Sequence, residues 1–148
     1  MEILTPYAKQ REEIKKYFLK KWCREWYSYP EARQAKIWFP TLDWKKSQEL
    51  LKRDRNDLSR LVQFFTGHNM LKRHRNLQGR IEDPYSCRLC CEEEESSFHV
   101  IAECPGTQSI RTEIFCTLHD LPNPPVWTIK QVDSFLKKSL VGEMLDEH

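Results

Sequence analysis

Four cysteine and histidine residues in the 148-residue chain have the types and spacing of metal ligands. Two residues separate Cys87 from Cys90, eight separate Cys90 from His99, and four separate His99 from Cys104. Cysteines two residues apart can reach one ion from a tight turn, and thiolate with imidazole suits tetrahedral Zn²⁺. The pattern therefore predicts a structural CCHC zinc knuckle. Four protein ligands leave the ion no open position for a reactive water, which argues against a catalytic zinc.

Cys91 leaves an alternative open, because Cys87 and Cys91 could also span the ion. We favour Cys90, since a separation of two residues is the usual knuckle geometry. Six cysteines could form three disulfides, but unevenly spaced cysteines beside a histidine, without a secretory signal, indicate metal binding instead. Cys23 and Cys116 fall outside the cluster, and we expect both to be buried free thiols.

Four consecutive glutamates, Glu92 to Glu95, lie between the paired cysteines and the histidine. Their carboxylates would repel phosphate, so we do not expect the knuckle loop itself to bind nucleic acid. We expect these side chains to be solvated at a helix start near Ser96 and Ser97, where acidic residues are favourable. The predicted role of the metal is therefore structural: it cross-links the parts of the chain that carry its ligands.

The basic residues are concentrated upstream of the knuckle. Residues 52–80 carry eight Lys/Arg against two Asp/Glu, whereas residues 81–148 carry five against thirteen. A basic block in a folded region indicates a polyanion partner, and Lys and Arg bind phosphates without reading bases. We therefore predict largely non-specific binding of RNA or DNA. The proposed contact residues are Lys72, Arg73, Arg75 and Arg80.

Histidines and tryptophans offer weaker signals. His68 and His74 lack a cysteine or carboxylate pair at matching spacing, so we expect packed or hydrogen-bonded histidines rather than a second metal site. Tryptophans could stack on unpaired bases. Trp22 and Trp26 are four residues apart on one helix face, however, and core packing is the expected role of such residues.

The elements that must position these residues are mostly helical. Apolar periodicity predicts one long helix, and caps, glycines and prolines set the bounds of several others. Ile37 to Phe39 could be extended, and 76–86 and the proline-rich 120–126 are expected to be connections. The predicted helices are 7–27, 43–53, one capped by Asn56 and ended by Gly67, a short one over 69–74, one around 110–118, and one from Thr128 to Leu140.

The predicted fold class is thus mostly α: a small helical domain with a CCHC zinc-knuckle insertion and C-terminal helices. We divide it into a helical region with the basic segment, 1–80, and the knuckle with its C-terminal helices, 81–148, and expect one compact unit. The sequence shows neither a signal peptide nor the run of roughly 20 apolar residues that a membrane span needs. We therefore expect a soluble, intracellular protein without a membrane partner.

Several motifs together resemble the C-terminal region of non-LTR, jockey- or I-like retrotransposon polyproteins. The resemblance covers about residues 18–116. In that family, this region follows the reverse transcriptase and RNase H domains and ends in a CCHC knuckle. The motifs are a helix with paired tryptophans, ARQAKIWFP, LVQFFTGHNMLKRH, CRLC, SFHVIAEC and a closing Arg111-x3-Phe115.

The resemblance implies a nucleic-acid-associated accessory module, with those enzymatic domains as possible partners and a nuclear location. It does not imply an enzyme, because the chain has neither the acidic pair of a reverse transcriptase nor an RNase H-like set of acidic residues. Two alternatives stay open: a protein-interaction scaffold, supported by the amphipathic last helix and the acidic tail, and an inactive retroelement remnant.

Overall fold

A computed structural model describes residues 6–80, 86–117 and 127–146. Helices dominate these residues, and their only β-structure is a bridge between Ser86 and Glu94, so the predicted mostly helical class is confirmed. None of the described helices is both long and apolar enough to span a bilayer. The α-helices are α1 Pro6–Ser28, α2 Arg33–Trp38, α3 Trp44–Leu51, α4 Arg55–Thr66, α5 Lys72–Leu77, α6 Gln108–Phe115, α7 Ile129–Lys138 and α8 Leu140–Asp146.

Contacts divide the chain into two units, Met1–Arg33 and Gln34–His148. The first unit contains the predicted long helix, α1, which buries none of its residues. Trp22 and Trp26 stack with ring centroids 5.5 Å apart and planes 9° apart, and Trp22 is 42% exposed. Neither tryptophan belongs to the described core, so the expectation that they pack in a core is wrong.

The core of the second unit is built around Trp38, which is almost fully buried. Its ring lies 5.4 Å from that of Phe64 in α4 and 5.5 Å from that of Trp127. α7 adds apolar residues at helical spacing, including Val132 and Leu136. The boundary predicted at residue 80 stays a prediction, although residues on both sides of it contribute to this core.

Local chemistry moves several helix bounds from their predicted positions. α4 begins after Asp54, whose carboxylate accepts hydrogen bonds from the amides of Asn56 and Asp57, so Asn56 is not the cap. The helix ends at Gly67, which adopts the left-handed conformation expected there (φ 74°). Ser139 separates the predicted last helix into α7 and α8, and Thr128 caps α7 as expected.

Two short segments also differ from the prediction. The sequence left open an extended Ile37 to Phe39, but Trp38 ends helix α2 and the Phe39 amide donates to the Ala35 carbonyl. α5 begins later than predicted, because Asn69 directs its side chain to the Leu71 amide and holds the chain in a turn. The connection predicted at 76–86 begins later than expected, because α5 continues to Leu77. Residues 81–85 of that connection, and the connection predicted at 120–126, lie outside the described residues.

Candidate metal centre

Two tight turns carry the four predicted ligands. Cys87 and Cys90 lie on a turn closed by a hydrogen bond from the Cys91 amide to the Cys87 carbonyl, 2.7 Å. His99 begins a π-helical turn, and the Cys104 amide donates to the His99 carbonyl at 2.8 Å. An α-helix would rotate residues five apart by about 140°. The wider π-turn lets both side chains face one point.

The ligand atoms of Cys87, Cys90, His99 and Cys104 all lie within 4.8 Å of one another. The Cys87 and Cys104 sulfurs are 3.8 Å apart, and the Cys90 sulfur is 3.3 Å from His99 Nε2. A tetrahedral zinc with Zn–S bonds of about 2.3 Å gives S···S edges of about 3.8 Å. The sulfurs are too far apart for a disulfide. These four residues could therefore bind one metal ion.

Burial and hydrogen bonding shift the pKa values of the three clustered thiols in different directions. Burial raises the pKa of Cys87, and it raises the pKa of Cys104 to about 12. Burial also opposes ionisation of Cys90, but hydrogen bonds from the amides of Glu93 and Glu92, and from His99, lower its pKa to about 7. Without a cation, Cys87 and Cys104 stay neutral at neutral pH. A divalent metal would offset the cost of ionising them.

The neighbouring cysteine, Cys91, points away from this cluster. It is exposed and has a left-handed backbone (φ 61°), whereas Cys90 is one of the four converging residues. The structure thus brings together the ligand set that includes Cys90. The other two cysteines are less buried than expected: Cys23, in α1, is half-buried, and Cys116, which follows α6 with a left-handed backbone (φ 54°), is exposed.

A buried arginine supports the turn that carries Cys104. Arg111 is 2% exposed, and its guanidinium donates to the Cys104 carbonyl at 3.1 Å. The Thr107 hydroxyl donates to the carbonyls of Val100 and Cys104 at 2.6 and 3.2 Å. A side chain at Gly106 would come within 2.8 Å of Leu89, so glycine lets the two ligand turns approach. Residues that form hydrogen bonds with metal ligands, or with the turns that carry them, fix the orientation of those ligands.

The remaining nitrogen of His99 faces an acidic side chain. His99 is buried, and its Nδ1 lies 3.7 Å from Glu103 Oε2. That distance is too long for a hydrogen bond, and Nδ1 has no hydrogen-bond partner among the described residues. The contact still places a carboxylate where second-layer partners of metal-bound histidines usually lie.

The sequence prediction placed Glu95 wrongly. It was expected to be solvated with Glu92 to Glu94, which are exposed, but its own exposure is 0%. Its carboxylate accepts hydrogen bonds from the amide and guanidinium of Arg88 and from the Lys72 amide, at 2.7–3.1 Å. Burial opposes its ionisation, but the bonds to Arg88 lower its pKa. In the sequence, the one signal for a buried Glu95 is an arginine within reach, Arg88, two residues before Cys90.

The four proposed phosphate contacts lie on or beside α5, but in different environments. Arg73 donates to the Glu94 carboxylate at 3.0 Å, whereas no described carboxylate pairs with Lys72, Arg75 or Arg80. Arg75 Nε is buried and has no hydrogen-bond partner among the described residues. Arg73 is therefore partly neutralised by the knuckle, and the other three carry the local positive charge.

His68 and His74 pair with each other rather than with a cysteine. Their ring centroids are 4.9 Å apart, and His74 Nε2 lies 2.7 Å from Gln78 Nε2. Burial, followed by the charges of His68, Arg80 and Arg73, lowers the pKa of His74. Among the described residues, the one grouping of three or more metal-ligating side chains is the Cys/His cluster, and neither histidine belongs to it.

No protein-family model, curated protein or solved structure matches this chain. Its function is therefore inferred from its own residues.

Proposed function

We propose that the chain is a zinc-stabilised module that binds RNA or DNA with little sequence preference. The convergence of three cysteine sulfurs and one histidine nitrogen within 4.8 Å supports the metal part of this proposal and is the observation on which it depends. Thiolate and imidazole ligands without a carboxylate favour zinc over calcium or magnesium. Cys87, Cys90, His99 and Cys104 would hold the ion, which would serve as a structural cross-link.

The charge around α5 supports the nucleic-acid part. Lys72, Arg75 and Arg80 provide three cations without a described carboxylate partner, and such a group can bind successive phosphates. The exposed acidic side chains of Glu92 and Glu93 disfavour contact through the outer loop of the knuckle. Binding would therefore be centred on α5 and would be strongly salt-dependent.

The motif order that resembles the C-terminal region of non-LTR retrotransposon polyproteins is consistent with this proposal. In that setting, the module would hold template or target nucleic acid beside reverse transcriptase and RNase H domains supplied elsewhere. A nuclear location belongs to the same proposal.

Two measurements test the proposal. Metal analysis of the purified chain should give one zinc per chain, and cobalt should produce the visible bands of a tetrahedral thiolate site. Fluorescence anisotropy with labelled RNA and DNA should show affinity that falls as salt increases. Reversing Lys72, Arg75 and Arg80 to Glu should weaken binding and reduce the log–log salt slope by about 2 to 3.

A matched control separates local contacts from net charge. Lys45, Lys52 and Lys130 are exposed, and reversing all three changes the net charge by the same amount. This control should retain most of the salt slope. Equal losses in both variants, or wild-type affinity that is independent of salt, would contradict binding through α5.

The exposed face of α1 favours a second candidate function, a protein-interaction scaffold. The helix carries seven Lys/Arg and three Glu, and its large apolar side chains are exposed. Such a face is typical of helices that dock on a partner. If no shift of labelled nucleic acid occurs at low salt, the scaffold becomes the better proposal. The exposed residues are Tyr7, Ile14, Tyr17, Phe18, Leu19, Trp22 and Tyr27.

A further inference from the structure

The loop that carries the first two ligands has little packing of its own. Over residues 86–95, only Cys87 and Glu95 are fully buried, and Leu89 packs against the core in part. By contrast, Phe98, Val100, Ile101 and Ala102 hold the next segment in the core. Backbone hydrogen bonds within the loop and the Glu95 contacts hold residues 86–95, and a metal bound by Cys87 and Cys90 would add two further attachments.

Glu95 connects this loop to the basic helix α5. One carboxylate oxygen accepts the Lys72 amide at 2.9 Å, and the other accepts the Arg88 amide at 2.7 Å. The backbone repeats the connection, because the Arg73 amide donates to the Glu95 carbonyl at 3.2 Å. Arg73 and Glu94 add an ion pair at 3.0 Å. The bond to Arg88 holds Glu95 within the ligand loop, and the contacts with Lys72 and Arg73 join that loop to the first turn of α5.

The first turn of α5 receives no side-chain cap from its own N-cap residue. Its N-cap residue, Leu71, has no side chain that can accept a hydrogen bond, and the helix is only six residues long. Helices this short are not stable alone, and uncapped first-turn amides cost stability. Glu95 therefore replaces the missing cap from another part of the chain, and its negative charge suits the positive end of the helix.

We propose that Glu95 couples the metal centre to α5, so that the basic side chains take their binding arrangement only while the metal is held. Metal loss would release residues 86–95, withdraw Glu95 from Lys72 and let the first turn of α5 open. The inference rests on the proposed nucleic-acid binding for its consequence, but the coupling itself is a property of the fold. Glu95 acts here as a positioning residue, because its carboxylate bonds to Arg88 and Lys72 and is not one of the four converging metal-ligating groups.

The test compares two variants of identical composition. Glu95→Gln removes the buried charge that links residues 86–95 to α5. Glu92→Gln removes one exposed charge from the same loop. Amide hydrogen exchange should be faster over residues 72–77 in chelated wild type and in zinc-loaded Glu95→Gln, with the α7 amides unchanged. Zinc-loaded wild type and Glu92→Gln should both protect residues 72–77.

Binding of a labelled mixed-sequence RNA supplies the second readout. Zinc should tighten RNA binding by the wild type by a factor within the usual range of coupling, about 5- to 150-fold, and RNA should tighten zinc binding by the same factor. In Glu95→Gln, both factors should approach one. If Glu95 were merely structural, Glu95→Gln would weaken the fold but leave the coupling between zinc and RNA binding in place.

A second pair of variants keeps the test valid if Glu95→Gln fails to fold. Lys72→Pro removes the amide that Glu95 accepts, at a first helical position that proline tolerates, and the extended backbone of Leu71 (ψ 150°) suits a following proline. Lys72→Ala loses the same cation but keeps the amide. Chelation should accelerate exchange over residues 73–77 more in Lys72→Ala than in Lys72→Pro.

The outcomes separate this inference from the proposed function. Unchanged protection of 72–77 after chelation and in Glu95→Gln, or equal metal dependence in both Lys72 variants, would overturn the coupling. If metal loss exposes 72–77 but the zinc-loaded wild type binds no RNA, the coupling stands and the nucleic-acid function falls.

Discussion

At the residue scale, the adjacent cysteines Cys90 and Cys91 show how backbone conformation selects a ligand. Both could reach the ion on spacing alone. The left-handed backbone of Cys91 turns its side chain into solvent, while Cys90 receives amide hydrogen bonds from Glu92 and Glu93. Such N–H···S bonds stabilise a thiolate, so the local turn prepares Cys90 rather than Cys91 for metal binding.

Replacing each of these cysteines by serine gives a direct comparison. Cys90→Ser should bind zinc far more weakly and lose much of its thermal stability, because binding energy at a structural zinc site is also folding energy. Cys91→Ser should keep one zinc per chain and melt near the wild-type temperature. Metal analysis and circular dichroism check both. Retention of zinc by Cys90→Ser with loss in Cys91→Ser would assign the ligand to Cys91.

The unequal thiol pKa values predict an order of reactivity in the metal-free protein. Cys90 has a pKa of about 7 and Cys104 of about 12, so at neutral pH half of Cys90 and almost none of Cys104 is thiolate. Because the thiolate is the nucleophile, iodoacetamide should modify Cys90 first, with a midpoint near pH 7. Peptide mass spectrometry across pH measures this, and zinc should protect both residues. Equal rates at Cys90 and Cys104 would contradict the difference.

At the element scale, the sequence predicted the presence of the helices better than their ends. Apolar spacing identified α1, α4, α6 and α7, because burial of one face repeats with the helical period. Helix starts depend on one side chain meeting one amide, and Asp54, Asn56 and Asp57 are all capable of that near α4. The cap of α5 was beyond sequence reasoning, since Glu95 reaches it from 23 residues away.

The start of α4 can be tested by comparing the predicted cap with the observed one. Asp54→Ala should lower the melting temperature at pH 7, whereas Asn56→Ala should change it little, because the Asp54 carboxylate accepts the amides. The Asp57 amide, followed by that of Asn56, lowers the pKa of Asp54. A lowered pKa stabilises the fold above the unfolded value of about 3.9.

The lowered pKa of Asp54 also predicts how the stability difference between wild type and Asp54→Ala depends on pH. As pH falls from about 3.9 through the lower folded pKa, the Asp54 carboxylate becomes protonated and the difference between wild type and Asp54→Ala should shrink. Circular dichroism melting curves from pH 7 down to the acid limit of the fold measure it. A difference that is constant with pH would mean that the charged cap is not its source.

At the scale of the whole molecule, the helical class and the convergence of the Cys/His cluster were predictable, but the distribution of burial was not. The four converging residues were found from spacing because binding a single ion would require short, fixed distances along the chain. Burial depends on what lies opposite a side chain. The sequence alone therefore does not predict which of Trp22 and Trp38 is buried, although Trp22 is 42% exposed and Trp38 is 1% exposed. Glu95 and Glu92 differ for the same reason.

This distribution of burial predicts the effect of removing α1. Every described core residue lies between Trp38 and Leu145, so a chain lacking residues 1–28 should keep its zinc and melt within a few degrees of the full chain. Trp38→Ala in the full chain shows the sensitivity of the assay, because truncating a buried aromatic costs about 3–5 kcal/mol. Thermal unfolding and metal analysis compare the three proteins. Loss of cooperative melting in the shortened chain would show that α1 contributes to the core, and its exposed aromatic face would then no longer support the scaffold function.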